Sequence, residues 1–311
     1  MQLPPHIRRI IEDRADALGF PAVKRAADAL SIAYRERRAP RLNTEEATTA
    51  YLVTRMPATY AAAHKVLGEL RGLPIGSVLD IGAGTGAAAL AARAHFPEAD
   101  PVTLVERDPS LGEAALEFLP GAKVIHADLT RMTTMPQHDL VIAGWSLGEL
   151  SSPLAARLWE AARVALVVIE PGTPRGADVI RTVREELLAA GARMAAPCPA
   201  EMPCPLTAPD WCHFAARVER SSLHRRIKEG ALGYEDEKYS YVALVREQIA
   251  LPEARVLRHP RHHPGLIELE LCTPGGVEQR RVTKRDKDAF RAARKAEWGG
   301  ALREPDHSEG A

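Results

Sequence analysis

From residue 77 onward the chain alternates between two textures. Five short apolar runs, SVLDIG (77–82), VTLVER (102–107), KVIHAD (123–128), HDLVIAGW (138–145) and ALVVIEPG (165–172), are bounded by glycines or charged residues and read as buried strands. Between them, AAALAARAHF (87–96), SLGEAALEFL (110–119) and LAARLWEAARV (154–164) place apolar residues at helical spacing. Strands alternating with helices predict a doubly wound α/β sheet.

The flanking regions differ. Residues 1–70 are helical in pattern, as in IRRIIEDRADAL (7–18) and AAAHKVLGEL (61–70), with Pro40 and Pro57 set to break or start helices. A further helix is expected at about 176–190. WCHFAARV (211–218) and YSYVALVRE (239–247) read as strands around a basic helix, ERSSLHRRIKEGAL (219–232). From 254, ARVLRHP, LIELELC and EQRRVTKR read as short strands, PGG (274–276) as a turn and 287–297 as a basic helix. The expected organisation is a helical region over 1–70 and an α/β domain over 71–250 with a cysteine-rich insertion at 195–235. A small β and basic-helix appendage over 251–300 and a disordered polar tail over 301–311 follow.

Composition narrows the class. Hydrophobic residues make up 46% and charged residues 26% of the 311, as in a soluble globular protein. No apolar run is long enough to span a bilayer. The first residues lack the apolar segment of a signal peptide, and Glu12, Asp13 and Asp16 disfavour a transit peptide, so a cytoplasmic location is expected. The formal net charge is zero, which by itself points to no polyanionic partner, and no DNA partner is expected.

The first strand runs into DIGAGTG (80–86) and then a helix. Glycines here let backbone approach a ligand, and the helix start offers free N–H groups. The spacing of Gly82, Gly84 and Gly86 is not that of dinucleotide folds. With Asp80 before it, the loop resembles the S-adenosylmethionine loop of class I methyltransferases. Glu106 ends the second strand, where a carboxylate can take both ribose hydroxyls, and Asp128 follows the third, where the methyltransferase pattern has an acid near adenine. Each alone reads as a turn or a helix cap; the ordered trio is more specific. The fourth strand ends in AGWSLGEL (143–150), with neither the Asn/Asp-Pro-Pro-aromatic motif nor a nucleophilic cysteine. Ser146 or Glu149 could move a proton, but a structural role is the simpler reading, so no catalytic residue is named.

The chemistry outside this loop lies in four cysteines: Cys198, Cys204, Cys212 and Cys272. Five, seven and 59 residues separate them in turn, wider than the close pairs of structural zinc sites. Three-plus-one arrangements with a remote thiolate also hold iron–sulfur clusters. Pro199, Pro203 and Pro205 stiffen the loop, and His213 adjoins Cys212. Cys272 alone, inside LIELELC, reads as an ordinary buried thiol. Three thiols in a polar, proline-rich loop read as a metal centre, zinc or iron–sulfur, that would tie the appendage to the α/β domain.

Several stretches together, AYLVTRMPATY (50–60), VLDIGAGTGAAALAA (78–92), GWSLGEL (144–150), the cysteine loop, GYEDEKYSYVALVRE (233–247) and ARKAEWGG (293–300), resemble the methyltransferase-like family of ribosomal small-subunit assembly factors. The likeness covers roughly 44–300. It implies a class I (Rossmann-like) methyltransferase fold and S-adenosylmethionine binding at Asp80, Gly82, Gly84 and Gly86. It also implies a [4Fe–4S] cluster on Cys198, Cys204, Cys212 and Cys272, and contact with small-subunit rRNA in assembly, methylation or translation. The alternatives kept open are a non-catalytic assembly factor and a small-molecule or protein methyltransferase with structural zinc. For RNA contact, Arg280, Arg281, Lys284, Arg285, Arg291, Arg294 and Lys295 form a basic stretch, and Arg217, Arg220, Arg225, Arg226 and Lys228 a second; a solvated helix face is the plain alternative.

Overall fold

The computed structural model describes residues 1–36, 38, 42–147 and 154–302. Internal contacts divide the chain into two compact units, neither continuous in sequence: Met1–Val167 with Ala216–Glu237, and Val168–Ala215 with Lys238–Ala311.

The first unit opens with helices α1 (Pro5–Leu18), α2 (Phe20–Arg35), α3 (Glu45–Thr54) and α4 (Met56–Leu67), and a 3₁₀ turn at Gly68–Leu70. Prolines stand in the first turns of α1, α2 and α4, where the missing N–H costs nothing. Thr44 caps α3 by accepting from the Ala47 N–H at 3.2 Å. Then come β1 (Val78–Ile81), α5 (Ala87–His95), β2 (Val102–Glu106), α6 (Pro109–Phe118), β3 (Lys123–His126), β4 (His138–Gly144), α7 (Leu154–Ala161) and β5 (Ala162–Pro171).

The strands lie in the order β3-β2-β1-β4-β5, and β1 is parallel to both β2 and β4. Every residue of β1 is buried, as the apolar run requires of a strand covered on both faces. This is the class I, Rossmann-like arrangement: strand order reverses beside β1, which opens a crevice at the carboxyl ends of β1, β2 and β4. β5 begins at Ala162, where the pattern had continued a helix. Arg163 pairs with Asp139 on the neighbouring strand at 2.9 Å, so the ladder takes over early. The same unit holds most of β7 (Phe214–Glu219), the helix α9 (Ser222–Lys228) and the start of β8 (Tyr234–Val245).

In the second unit the end of β5 leads into α8 (Pro174–Ala189), β6 (Arg193–Ala196), the cysteine loop and the rest of β8, in sheet order β5-β8-β6. A second sheet follows, built from β9 (Ala254–Val256), β10 (Arg261–His263), β11 (Leu266–Thr273), β12 (Gly276–Thr283) and β13 (Ala301–Leu302), with α10 (Lys287–Lys295) before the last strand. Its core is Ala254, Val256, Ile267, Leu269, Leu271 and Val282, with Ala293, Phe290 and Ala289 of α10 against it. The two-residue alternation of LIELELC sends Ile267, Leu269 and Leu271 into this core and Cys272 to the other face.

Three strands were not anticipated. β6, β10 and β13 are two to four residues long and too short to leave a pattern. Ala301 and Leu302 pair with Arg255 and Ala254, so the expected tail begins no earlier than 303, and residues 303–311 lie outside those described. Among the described residues no helix is long and apolar enough to cross a membrane.

Candidate functional site

The glycine loop sits at the carboxyl end of β1. Gly82, Gly84 and Gly86 have φ of +65°, +54° and +74°, backbone that favours glycine. Space reinforces this at two of them: a Cβ at Gly82 would stand 2.9 Å from the Ser146 Cβ, and one at Gly86 2.9 Å from a Leu119 methyl. Glu106 holds the loop from the end of β2. One carboxylate oxygen accepts the Gly84 N–H at 2.8 Å and the other the Asp108 N–H at 2.8 Å.

Asp80 lies behind the loop. Its carboxylate is 1% exposed and accepts the Ala89 N–H at 2.9 Å, which fills one of the open donors in the first turn of α5. Burial, only partly offset by that hydrogen bond, pushes its pKa up to about 7, with the Glu106 charge adding to the rise. Asp128 is on the surface. It accepts from the Thr130 N–H and hydroxyl, which hold its carboxyl below the usual range.

Gly82, Glu106, Asp128, Trp145 and Ser146 border one crevice of about 620 Å³. Asp80 is not among its lining residues and acts on it through the loop. Trp145 adopts φ +54°, a strained value for a bulky residue, where β4 turns toward the crevice. The Ser146 hydroxyl is shielded from solvent and has no hydrogen-bond partner among the described residues. Glu149 lies outside the described residues. A neighbour absent from the sequence reading is Tyr51: its hydroxyl oxygen would be 3.8 Å from a Cβ at Gly84. Burial raises the Tyr51 pKa, keeping the phenol protonated.

The second constellation lies within the second unit. Cys198, Cys204, Cys212 and Cys272 line a single pocket of about 750 Å³. The loop that carries three of them forms no sheet, and side chains hold its carbonyls. Arg255 donates to Pro197 at 2.8 Å and Arg184 to Ala200 at 3.3 Å and to Met202. Arg181 donates to Leu206 at 3.4 Å, and the Ser240 hydroxyl to Cys212 at 2.7 Å. The Glu201 carboxylate turns back to accept the Met194 N–H of β6 at 3.0 Å. Cys272 reaches the pocket because β11 spends its other face on the small core.

Burial raises the thiol pKa of Cys198 and of Cys212, and that of Cys272 to about 12. The thiols also act on one another, and Arg184 and Arg255 oppose the rise. Among the described residues no three His, Cys, Asp or Glu side chains are grouped to hold a single metal ion. His213 does not line the pocket: it stacks on Trp211 at 5.0 Å, meets the Trp298 edge at 5.1 Å, and its Nδ1 lies 3.1 Å from the Trp211 carbonyl.

YEDEKYSY forms the first part of β8, and its alternation explains its composition. Glu235 binds Arg220, Lys228 and, at 3.4 Å, His224, fastening α9 to the strand. Burial would raise the Glu235 pKa, but bonds from His224, Lys228 and Arg220 override it and hold the carboxyl far below the usual range. Asp236 faces the other way and takes both arms of Arg217, at 2.9 and 3.0 Å. Arg226 stacks over the Phe20 ring at 4.3 Å. The basic stretch at 217–228 is therefore largely committed to internal contacts. In the second stretch, Arg280 pairs with Glu253 and Glu278, Arg281 with Glu268, and Arg291 with Asp288. Lys284, Arg285, Arg294 and Lys295 make no ion pair among the described residues. Lys284 and Arg294 share a concavity of about 550 Å³ with His262, His263 and Phe290.

The chain matches, over residues 45–303, the family described as mitochondrial small ribosomal subunit Rsm22. It belongs to that family. Among curated relatives, it is 26% identical over 303 residues to the human mitochondrial ribosome assembly protein METTL17, covering 83% of this chain and 63% of that protein. It is 24% identical over 332 residues to Rsm22-cox11 tandem protein 2, mitochondrial, of Schizosaccharomyces pombe, covering 83% of this chain and 43% of that one. The chain thus spans between two-fifths and two-thirds of the length of these relatives. Among solved structures, magnesium protoporphyrin IX methyltransferase from Synechocystis PCC 6803, with bound S-adenosylmethionine, aligns at 15% identity with a TM-score of 0.38, covering 79% of this chain and 100% of that one. The plantazolicin methyltransferase BpumL with S-adenosylhomocysteine aligns at 14% identity with a TM-score of 0.40, covering 77% of this chain and 100% of that one. The Rsm22 match includes both constellations, the glycine loop and all four cysteines.

Proposed function

We propose that this Rsm22-family chain is an S-adenosylmethionine-binding, [4Fe–4S]-containing methyltransferase-like protein that acts on the small ribosomal subunit, in assembly or by methylation of its rRNA. The observation that carries the reading is the gathering of four cysteines, spread over 75 positions, around one pocket in a chain that has only those four.

The donor set fits the cluster. Four thiols border the pocket, with no histidine or carboxylate in its lining and with the guanidiniums of Arg181, Arg184 and Arg255 to offset thiolate charge. The cluster supplies a covalent tie between the cysteine loop and β11. The cofactor crevice fits S-adenosylmethionine in its polar groups: Glu106 offers a carboxylate to the ribose hydroxyls, Asp128 an acceptor at the far side, and the Gly82 turn lets backbone come close. The cofactor brings an electrophilic methyl group. Residues of this chain bind and orient it, and Ser146 borders the same crevice.

RNA contact is carried by the C-terminal unit. Lys284, Arg285, Arg294 and Lys295, without ion pairs among the described residues, can neutralise phosphates, and Phe290 with His262 and His263 offers stacking surfaces beside Lys284 and Arg294. A non-catalytic assembly role is the second reading. It is favoured by the β4 end, where the described residues Trp145 and Ser146 bring no base or nucleophile of a recognised methylation motif. Transfer of labelled methyl groups to small-subunit rRNA from a strain deleted for the gene separates the two: incorporation supports catalysis, and none leaves binding alone. Crosslinking with RNA sequencing tests the partner.

A further inference from the structure

The thiol pocket contains a charged group whose role its packing does not account for. Arg184 on α8 is 4% exposed and lines the pocket, whose lining contains no Asp or Glu. Arginine is almost never buried so fully without compensation, because desolvating a guanidinium costs several kcal/mol. Part of the Arg184 fork is explained, since one terminal nitrogen donates to the Ala200 and Met202 carbonyls between Cys198 and Cys204. Those are neutral acceptors. The Arg184 Nε, fully shielded from water, has no hydrogen-bond partner among the described residues. The same guanidinium lines the pocket beside Cys198, Cys204, Cys212 and Cys272.

Resting on the iron–sulfur reading above, we infer that Arg184 is the counter-charge and loop anchor of the group that the four cysteines hold. Four thiolates around a cubane core are net dianionic, and the Arg184 guanidinium stands in a lining that contains no acid. Arg184 does two things at once. It fixes the loop carbonyls that set the positions of Cys198 and Cys204, and it places a positive charge against the sulfur shell with an N–H to spare. A carbonyl clamp alone accounts for the first and not the second. Arg184 is thus a positioning residue that also sets the electrostatics of the centre, because nearby positive charge favours the more reduced, more negative form.

The test uses full-length protein purified without oxygen, as wild type, Arg184→Gln and Arg184→Lys, with Arg291→Gln on the exposed face of α10 as control. Iron per chain, the rate of iron loss to a chelator, the midpoint potential of the one-electron cluster couple and far-UV circular dichroism are measured. The Gln variant is expected to keep its secondary structure, lose iron several-fold faster and show a more negative midpoint. The Lys variant keeps the charge but not the fork, so it is expected to retain the wild-type midpoint and still lose iron faster. If the Gln variant fails to fold, the Lys variant decides in the same terms. Iron-loaded Arg184 variants with wild-type midpoint and wild-type loss rate overturn the inference alone. Wild-type protein without iron overturns the iron–sulfur reading and the inference with it.

Discussion

The Glu106 carboxylate accepts the backbone N–H of Gly84 at 2.8 Å, so the acid expected to bind ribose also ties the glycine loop to the end of β2. Its second oxygen is engaged by Asp108 at 2.8 Å. Replacing Glu106 with Ala removes two hydrogen bonds to a charged group, each worth about 1.5–3 kcal/mol. Affinity for S-adenosylmethionine is expected to fall by about tenfold or more, with Glu106→Gln between Ala and wild type. Titration calorimetry on the folded variants checks this; unchanged affinity would place the cofactor elsewhere.

Asp80 predicts a pH dependence. Its ordinary value is 3.8 and burial lifts it to about 7, so the folded protein keeps a proton that the unfolded chain gives up. Stability then falls as pH rises from about 4 to 7. Asp80→Asn keeps an acceptor for the Ala89 N–H and carries no charge. It is expected to melt near wild type at pH 4 and higher than wild type at pH 8, read by thermal denaturation across pH.

Glu235 predicts the opposite sign. Its carboxyl is held below its ordinary 4.5, so its contribution is present above that pH and is lost as pH falls through the depressed value. Glu235→Gln leaves Arg220, Lys228 and His224 without their shared partner. It is expected to cost roughly 2–3 kcal/mol at pH 7, the lower end for a partly buried ion network, with the gap to wild type narrowing below pH 4.5. Urea denaturation at two pH values measures it.

These sites were unequally legible in the sequence. The parallel core could be read because β1, β2, β4 and β5 are buried on both faces and must be continuous apolar runs. The cysteines stood out by number and spacing. Cys272 in isolation reads as a core thiol, and it is the spending of Ile267, Leu269 and Leu271 on one face of β11 that turns it to the pocket. Arg184 and Arg255 could not be found this way. An arginine in a helix or next to a strand pattern reads as a solvated position, and only three-dimensional closure buries it. The basic stretch at 217–228 misleads for the same reason, because the acids that engage it, Glu235 and Asp236, lie on the next strand.

Cys272 carries a prediction about architecture. If its thiolate completes a centre with the cysteine loop, Cys272→Ser unpins β11 from that loop and lowers the melting temperature well beyond a surface change, because metal binding contributes folding energy. The loss is expected in anaerobically purified protein and is expected to shrink once iron is removed with a chelator. An equal melting temperature for variant and wild type would separate Cys272 from the loop thiols.

The central claim is that the four-thiol pocket holds an iron–sulfur cluster, and bound metal tests it most directly. Full-length protein purified without oxygen is expected to be brown, to absorb broadly near ~400 nm and to contain about four irons with matching acid-labile sulfide per chain. About one zinc per chain with no iron, or a colourless protein free of both, contradicts it.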